Sequence, residues 1–191
     1  AGLKAWMTLS WALLTSKSLR PTHNAITILN ENLEKFGYDG APHLVAIPVT
    51  VVVLGRAAEV AKRFRSRGRP VVAGGIHISC APETAKGMFD AILIGRAEET
   101  WPLLLDDLSH NRLKSRYQDD YQNQYIHPPG YSIPGKDRYI STNIVSTSRG
   151  CPYKCDFCYN SSPLSVPYIN RSIQDVLQAI HAIGIRHILF K

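Results

Sequence analysis

Short apolar runs alternate with amphipathic stretches along the first 110 residues. Ala25 to Leu29 and the valine-rich run from His43 to Leu54 predict strands. Gly55 to Arg67 predicts a helix: Ala57, Ala61 and Phe64 share one face, while Glu59, Lys62, Arg63 and Arg65 point elsewhere. Gly68 supplies a left-handed stop and Pro70 follows it. Val71 to Ala73 is a strand ending at Gly74-Gly75. Pro82 to Lys86 is a short helix, and Ala91 to Ile94 is a strand ending at Gly95. Glu98 to Ser109 is a helix with Trp101, Leu104, Leu105 and Leu108 on one stripe. Strands alternating with helices in this way imply an α/β fold, a parallel sheet wound on both faces. Ligands of such sheets bind beyond the carboxyl ends of the strands. Those ends carry Gly74-Gly75-Ile76-His77 and Gly95-Arg96-Ala97-Glu98.

The periodicity lapses between Asn111 and Thr142, where the chain is polar and tyrosine-rich around His127-Pro128-Pro129-Gly130. This stretch reads as a linker, with Tyr117, Tyr121, Tyr125, Tyr131 and Tyr139 making packing contacts. A second unit starts at Asn143. Asn143 to Thr147 is a strand, and a cysteine-rich loop follows it. Ser172 then caps a helix, with Asp175 three residues on. Ile173, Val176, Leu177 and Ile180 form its apolar face, Gly184 ends it, and Arg186 to Phe190 is a further strand. Strand, loop, helix and strand make a βαβ crossover. Two parallel strands cannot bury both their faces, so the chain reads as trimmed at both ends relative to a complete enzyme.

The net charge of +7 changes this picture little. Part of it lies in the run Lys62, Arg63, Arg65, Arg67 and Arg69, the end of a helix where cations favour the dipole. The run lacks the interleaved aromatics of a single-strand nucleic-acid platform, so no nucleic acid is expected. No apolar run is long enough for a membrane span, and no signal peptide is evident. A cytoplasmic location is expected.

Three of the four cysteines fall within Cys151-Pro-Tyr-Lys-Cys155-Asp-Phe-Cys158. Clustered thiols outside an oxidising compartment point to metal or catalysis rather than disulfides. Thiolates suit zinc, copper(I) and iron–sulfur clusters. A structural zinc site takes four ligands, and neither His127 nor His181 has finger-like spacing. Three ligands on a four-iron cluster leave one iron open for chemistry. Cys80 stands apart and reads as a small, partly buried hydrophobe.

The spacing Cys151-x-x-x-Cys155-x-Phe157-Cys158, just after the opening strand of a βα unit, resembles the signature of radical S-adenosylmethionine (SAM) enzymes. The resemblance implies a [4Fe-4S] cluster held by Cys151, Cys155 and Cys158, with SAM on the free iron. It implies that Phe157 and Tyr153 contact SAM, that Arg149-Gly150 is the lead-in, and that a flavodoxin or ferredoxin supplies the electron. The amino-terminal unit resembles the cobalamin (B12)-binding, flavodoxin-like Rossmann domain of one radical SAM subgroup. The segments that carry this are Pro42 to Ile47, Pro70 to His77, Phe89 to Gly95 and Glu98 to Trp101. The implied cofactor contacts are Gly74, Gly75, His77, Thr50, Gly95 and Glu98. Two departures stand out: Pro48 occupies the place of an expected hydroxyl, and Arg96-Ala97 interrupts the usual Gly-Glu-Gly-Glu turn.

The implied organisation is a cobalamin-binding-like domain over 1–110, a linker over 111–142 and, over 143–191, the first βαβ unit of a partial TIM-type radical SAM barrel. The implied activity is cleavage of SAM to a 5′-deoxyadenosyl radical. It would serve methylation or ring closure at an unactivated carbon of a small-molecule, lipid or tetrapyrrole substrate. The piece alone is expected to be inactive. Two other readings stay open. In one, the first domain only docks substrate or partner without B12. In the other, the chain is a non-enzymatic zinc or nucleic-acid module.

Overall fold

The computed structural model describes residues 11–19, 25–31, 37–123, 125–127, 143–162, 164, 166–183 and 188–190. Its centre is a parallel sheet of four strands in the order β1-β2-β3-β4: Val45–Pro48, Val71–Gly74, Ala91–Ile94 and Arg116–Gln118. Helix α1 (Trp11–Ser18) precedes it, and α2 (Leu54–Arg65), α3 (Ile76–Cys80) and α4 (Ala97–Ser109) connect its strands. The alternation of side chains along a strand divides the core in two. Val71 and Ala73 join Ala57, Val60, Ala61 and Phe64 of α2 on one face. Val72 and Leu93 join Trp101 and Leu104 of α4 on the other, and α1 packs on α4. The sheet is therefore wound on both faces, an α/β Rossmann-like fold.

Several elements differ from the sequence expectation. Ala25 to Leu29 is not a strand. The strand expected over His43 to Leu54 is confined to Val45–Pro48, because Val51–Val53 turn as a 3₁₀ helix, with the Val53 amide donating to the Thr50 carbonyl at 3.1 Å. The Pro82–Ala85 turn is also 3₁₀, and the α-helical turn lies before it, at Ile76–Cys80. That turn exists because Ile78, fully buried, is drawn into the core. Inside the stretch read as a linker, β4 pairs with β3 and sets Tyr117 into the core.

The second unit is thinner. β5 (Ile144–Val145) pairs in parallel with β8 (Leu189–Phe190), and α5 (Ile173–Ile183) runs between them. The Ser172 hydroxyl accepts the Asp175 amide at 3.1 Å and caps α5 as expected. β6 (Ser148–Arg149) and β7 (Ile169–Asn170) pair antiparallel and close the neck of the cysteine loop. The expected contributions of Tyr131, Tyr139, Gly184 and Arg186 lie outside the described residues.

Candidate functional site

The carboxyl ends of β1, β2 and β3 open onto a cavity of about 420 Å³, within the size range of small-molecule sites. Its floor is built by Ile47, Pro48, Val72, Gly74 and Leu93, and its far wall by Ser148, Arg149, Gly150, Tyr159 and Val166. Strand ends and the lead-in to the cysteine loop thus face one another across a single space. Gly75 holds φ +103°, and a Cβ there would lie 2.9 Å from the Val49 carbonyl oxygen. Only glycine permits this approach, so its first role is to pack the strand ends. Gly95 holds φ +88° and lies close beneath Tyr121 and Asp119. Its amide donates to the Ser79 hydroxyl at 2.9 Å.

Two ion pairs organise the wall. Arg96 and Asp119 are both almost fully buried and meet through two side-chain contacts, Nε–Oδ2 at 2.5 Å and Nη2–Oδ1 at 3.1 Å, and the Arg96 amide also donates to Asp119 Oδ2 at 3.2 Å. Burial opposes the charge on each. The pairing outweighs it, holding the Asp119 carboxyl below the usual carboxylate range and the Arg96 guanidinium above its own. Arg96 also lies over the Tyr121 ring, 5.3 Å from its centroid. Glu98, buried in the first turn of α4, pairs with Arg149, two residues before Cys151. Glu98, expected to meet a cofactor, lines the cavity with its carboxylate engaged by the lead-in arginine. The opposite charges at 98 and 149 were visible, but nothing local joins residues 51 positions apart.

Gly74, Gly75, Gly95 and Glu98 line the cavity, whereas Thr50 and His77 do not. Thr50 is exposed, and His77 Nε2 lies 2.9 Å from the Thr84 hydroxyl. Cys80, unremarked as a site residue, lines the cavity, and its thiol donates to the Tyr159 carbonyl at 3.6 Å. Burial pushes the Cys80 thiol up, Ser162 pulls it partly back, and nearby Cys158 adds a further upward push.

The cysteine loop is anchored at Gly150, with φ +77°, which passes directly beneath the Val166 and Pro167 carbonyls. Beyond it, the Cys158 amide donates to the Cys155 carbonyl at 2.9 Å, and the Ser161 hydroxyl donates to the same oxygen at 2.7 Å. Cys151 and Cys158 are half-buried and Cys155 is exposed, all as free thiols. Tyr153 and Phe157 stand out from the loop, 71% and 94% exposed. Among the described residues, no three His, Cys, Asp or Glu side chains are gathered so as to hold a metal ion. By donor chemistry alone, three free soft ligands on one loop suit an iron–sulfur cluster.

The fold and the cavity together define an α/β unit with a ligand space at its strand ends, faced by a thiol-rich loop. Comparison with known proteins finds the chain similar to part of several methyltransferases. The chain is 40% identical over 157 residues to the bacteriochlorophyllide d C-8(2)-methyltransferase of Chlorobaculum tepidum, covering 77% of this chain and 35% of that protein. It is 25% identical over 152 residues to the bacteriochlorophyllide d C-12(1)-methyltransferase of the same organism, covering 76% and 32%. It is also 27% identical over 179 residues to an uncharacterised methyltransferase of Pyrococcus horikoshii, covering 78% and 39%. The chain thus spans about a third of the length of these relatives. Among solved structures, its fold resembles the radical SAM methyltransferase TsrM of Kitasatospora setae. One such structure has a tryptophan substrate and a SAM analogue bound (TM-score 0.55, 18% identity, 76% of this chain and 35% of that one). Another has cobalamin and a [4Fe-4S] cluster bound (TM-score 0.54, 18% identity, 76% and 36%). No family model matches the chain.

Proposed function

We propose that this chain is the cofactor-holding part of a cobalamin-dependent radical SAM methyltransferase. Cys151, Cys155 and Cys158 would hold a [4Fe-4S] cluster, and the strand ends at Gly74, Gly75 and Gly95 a cobalamin. When bound, these groups supply one-electron cleavage of SAM and methyl transfer to an unactivated carbon, with an external flavodoxin or ferredoxin as electron donor. The protein supplies position. Gly150, having no Cβ, lets the loop pass under the Val166 and Pro167 carbonyls. Arg149, held by Glu98, ties the start of the loop to the first unit. Tyr153 and Phe157 are exposed and free to meet SAM. β5, α5 and β8 serve as the opening of a partial TIM-type barrel. The named relatives support methylation over ring closure and favour a tetrapyrrole or comparable small-molecule substrate.

The observation that carries this reading is the shared cavity. The ligand-binding edge of the sheet and the lead-in to the three thiols form opposite walls of one space. Anaerobic reconstitution with iron and sulfide tests it. The expected product is one [4Fe-4S] cluster per chain whose paramagnetic resonance, recorded after reduction with dithionite, changes on addition of SAM. Alanine at Cys151, Cys155 and Cys158 should abolish it. Failure of the unaltered chain to take up iron, with one equivalent of zinc bound instead, would favour the zinc module.

A further inference from the structure

The reading above uses three of the four cysteines and leaves Cys80 without a part. Cys80 ends α3 in the first unit. It is a free, half-buried thiol on the cavity wall. Its thiol nevertheless reaches the second unit: it donates to the Tyr159 carbonyl at 3.6 Å, 79 positions further along the chain. The Ser162 hydroxyl also hydrogen-bonds it. These two contacts lie on the turn that Cys158 opens. Tyr159–Ser161 is a 3₁₀ helix with Cys158 at its head. The Ser161 and Ser162 amides close it, donating to the Cys158 and Tyr159 carbonyls, each at 3.0 Å. Cys80 is thus packed on the residues that follow Cys158, and the Cys158 charge is close enough to be felt at its thiol.

A cysteine away from a motif is most often a small packing residue. Cys80 departs from that pattern, being half-buried on a cavity wall and hydrogen-bonded to the segment headed by another free thiol. A shared metal does not explain the pairing, since among the described residues no three His, Cys, Asp or Glu side chains are gathered to hold one. The chemistry open to two thiols alone is disulfide exchange, in which a reactive cysteine works with a resolving one beside it. Cys155, by contrast, is exposed to solvent.

We propose that Cys80 and Cys158 are a redox pair, closed to a disulfide by a small-molecule disulfide when Cys158 carries no metal. The Cys158 thiolate attacks one sulfur of the reagent, forming a mixed disulfide and releasing one thiolate. The Cys80 thiolate then attacks the Cys158 sulfur, closing the protein bond and releasing the second. The two electrons given up by the pair reduce the reagent's S–S bond, and the two protons pass to its departing sulfurs. The bridge ties the first unit to the cysteine loop. On the reading of Cys158 as a cluster ligand, it also withholds one of the three ligands until a thiol reductant reopens it.

The full chain, free of metal, is incubated with oxidised glutathione. Remaining thiols are blocked with N-ethylmaleimide, and proteolytic fragments are mapped by mass spectrometry. The expected product joins the Cys80 fragment to the Cys158 fragment, with blocking at Cys80 lost. The link should persist in Cys155→Ser, vanish in Cys158→Ser and be reversed by dithiothreitol. The bridged chain should melt at a higher temperature than the reduced one, and Cys80→Ala treated in the same way should show no such rise. A bond from Cys158 to Cys155 or Cys151 with Cys80 still open to blocking overturns the pair. So does Cys80 carrying glutathione alone, or no loss of blocking at Cys80. Iron uptake by the bridged chain reads the cluster assignment separately. A bridge that leaves uptake unimpaired keeps the redox pair and removes Cys158 from the cluster.

Discussion

The two halves of the molecule use their apolar residues in opposite ways. In the first, Val71, Val72, Ala73, Ile78, Ile94 and Leu104 are fully buried, and helices cover both faces of the sheet. In the second, only Val145, Ile169 and Ala179 are buried among the described hydrophobic residues, while Ile173, Leu177, Leu189 and Phe190 stay 49–75% exposed. The first half carries its own core. The second is a parallel strand pair with one helix, an arrangement that needs further layers to cover it. The lesson is that the stability of the cavity comes from the sheet side, while the thiol loop, closed at its own neck by β6 and β7, is also tied to that side through Glu98 and Tyr121.

Substitutions can sharpen or break this contrast. The largest effect is expected at Asp119, whose loss strands the buried Arg96 charge. Asp119→Ala should lower unfolding free energy by about 3–5 kcal/mol, measured by denaturant titration. The same pair sets an acid limb. The folded-state pKa of Asp119 is depressed by Arg96, so its contribution is fully present above the unfolded value of about 3.9. It is lost as pH falls through the lower folded value. Midpoints recorded from pH 5 downward should show this loss in the unaltered chain and a flatter profile in Asp119→Asn.

Next comes the core comparison. Leu104→Ala, at a fully buried site, should cost about 2–5 kcal/mol. Leu177→Ala, at a site 49% exposed, should cost under about 1 kcal/mol. Equal costs would show that the second half has a core of its own. Gly150→Ala, strained by its positive φ and crowded by Val166 and Pro167, should cost about 1–3 kcal/mol and lower iron uptake on reconstitution. The smallest change is expected at Phe157, 94% exposed. Phe157→Ala should alter ligand-free stability by less than about 0.5 kcal/mol, and any effect on SAM affinity then reports contact rather than folding.

The legibility of the sequence followed the same division. Ala57, Ala61 and Phe64, the strands at Val71 and Ala91, and the stripe of α4 were readable because apolar spacing and burial coincide there. β4 was hidden because its three residues include only one apolar side chain, Tyr117. Val51–Val53 misled in the other direction. Three β-branched residues suggest a strand, yet Val51 and Val52 are 69% and 86% exposed on a turn where the chain leaves the sheet. That Gly74, Gly75 and Gly95 line the cavity was legible from their positions at strand ends. Their meaning was only partly visible, since Gly75 answers first to the Val49 backbone. The attachments of Glu98 to Arg149 and of Tyr121 to the Leu164 carbonyl were not readable. They join segments far apart in the chain, and no local spacing marks them.

The Glu98–Arg149 contact has a consequence for exchanging parts between homologous proteins. A chimera that borrows one half from a relative lacking the matching acid or base seats an orphaned charge at the seam. Such hybrids should be more stable when both positions are transplanted together, which makes this pair a practical guide to where the chain can be cut and rejoined.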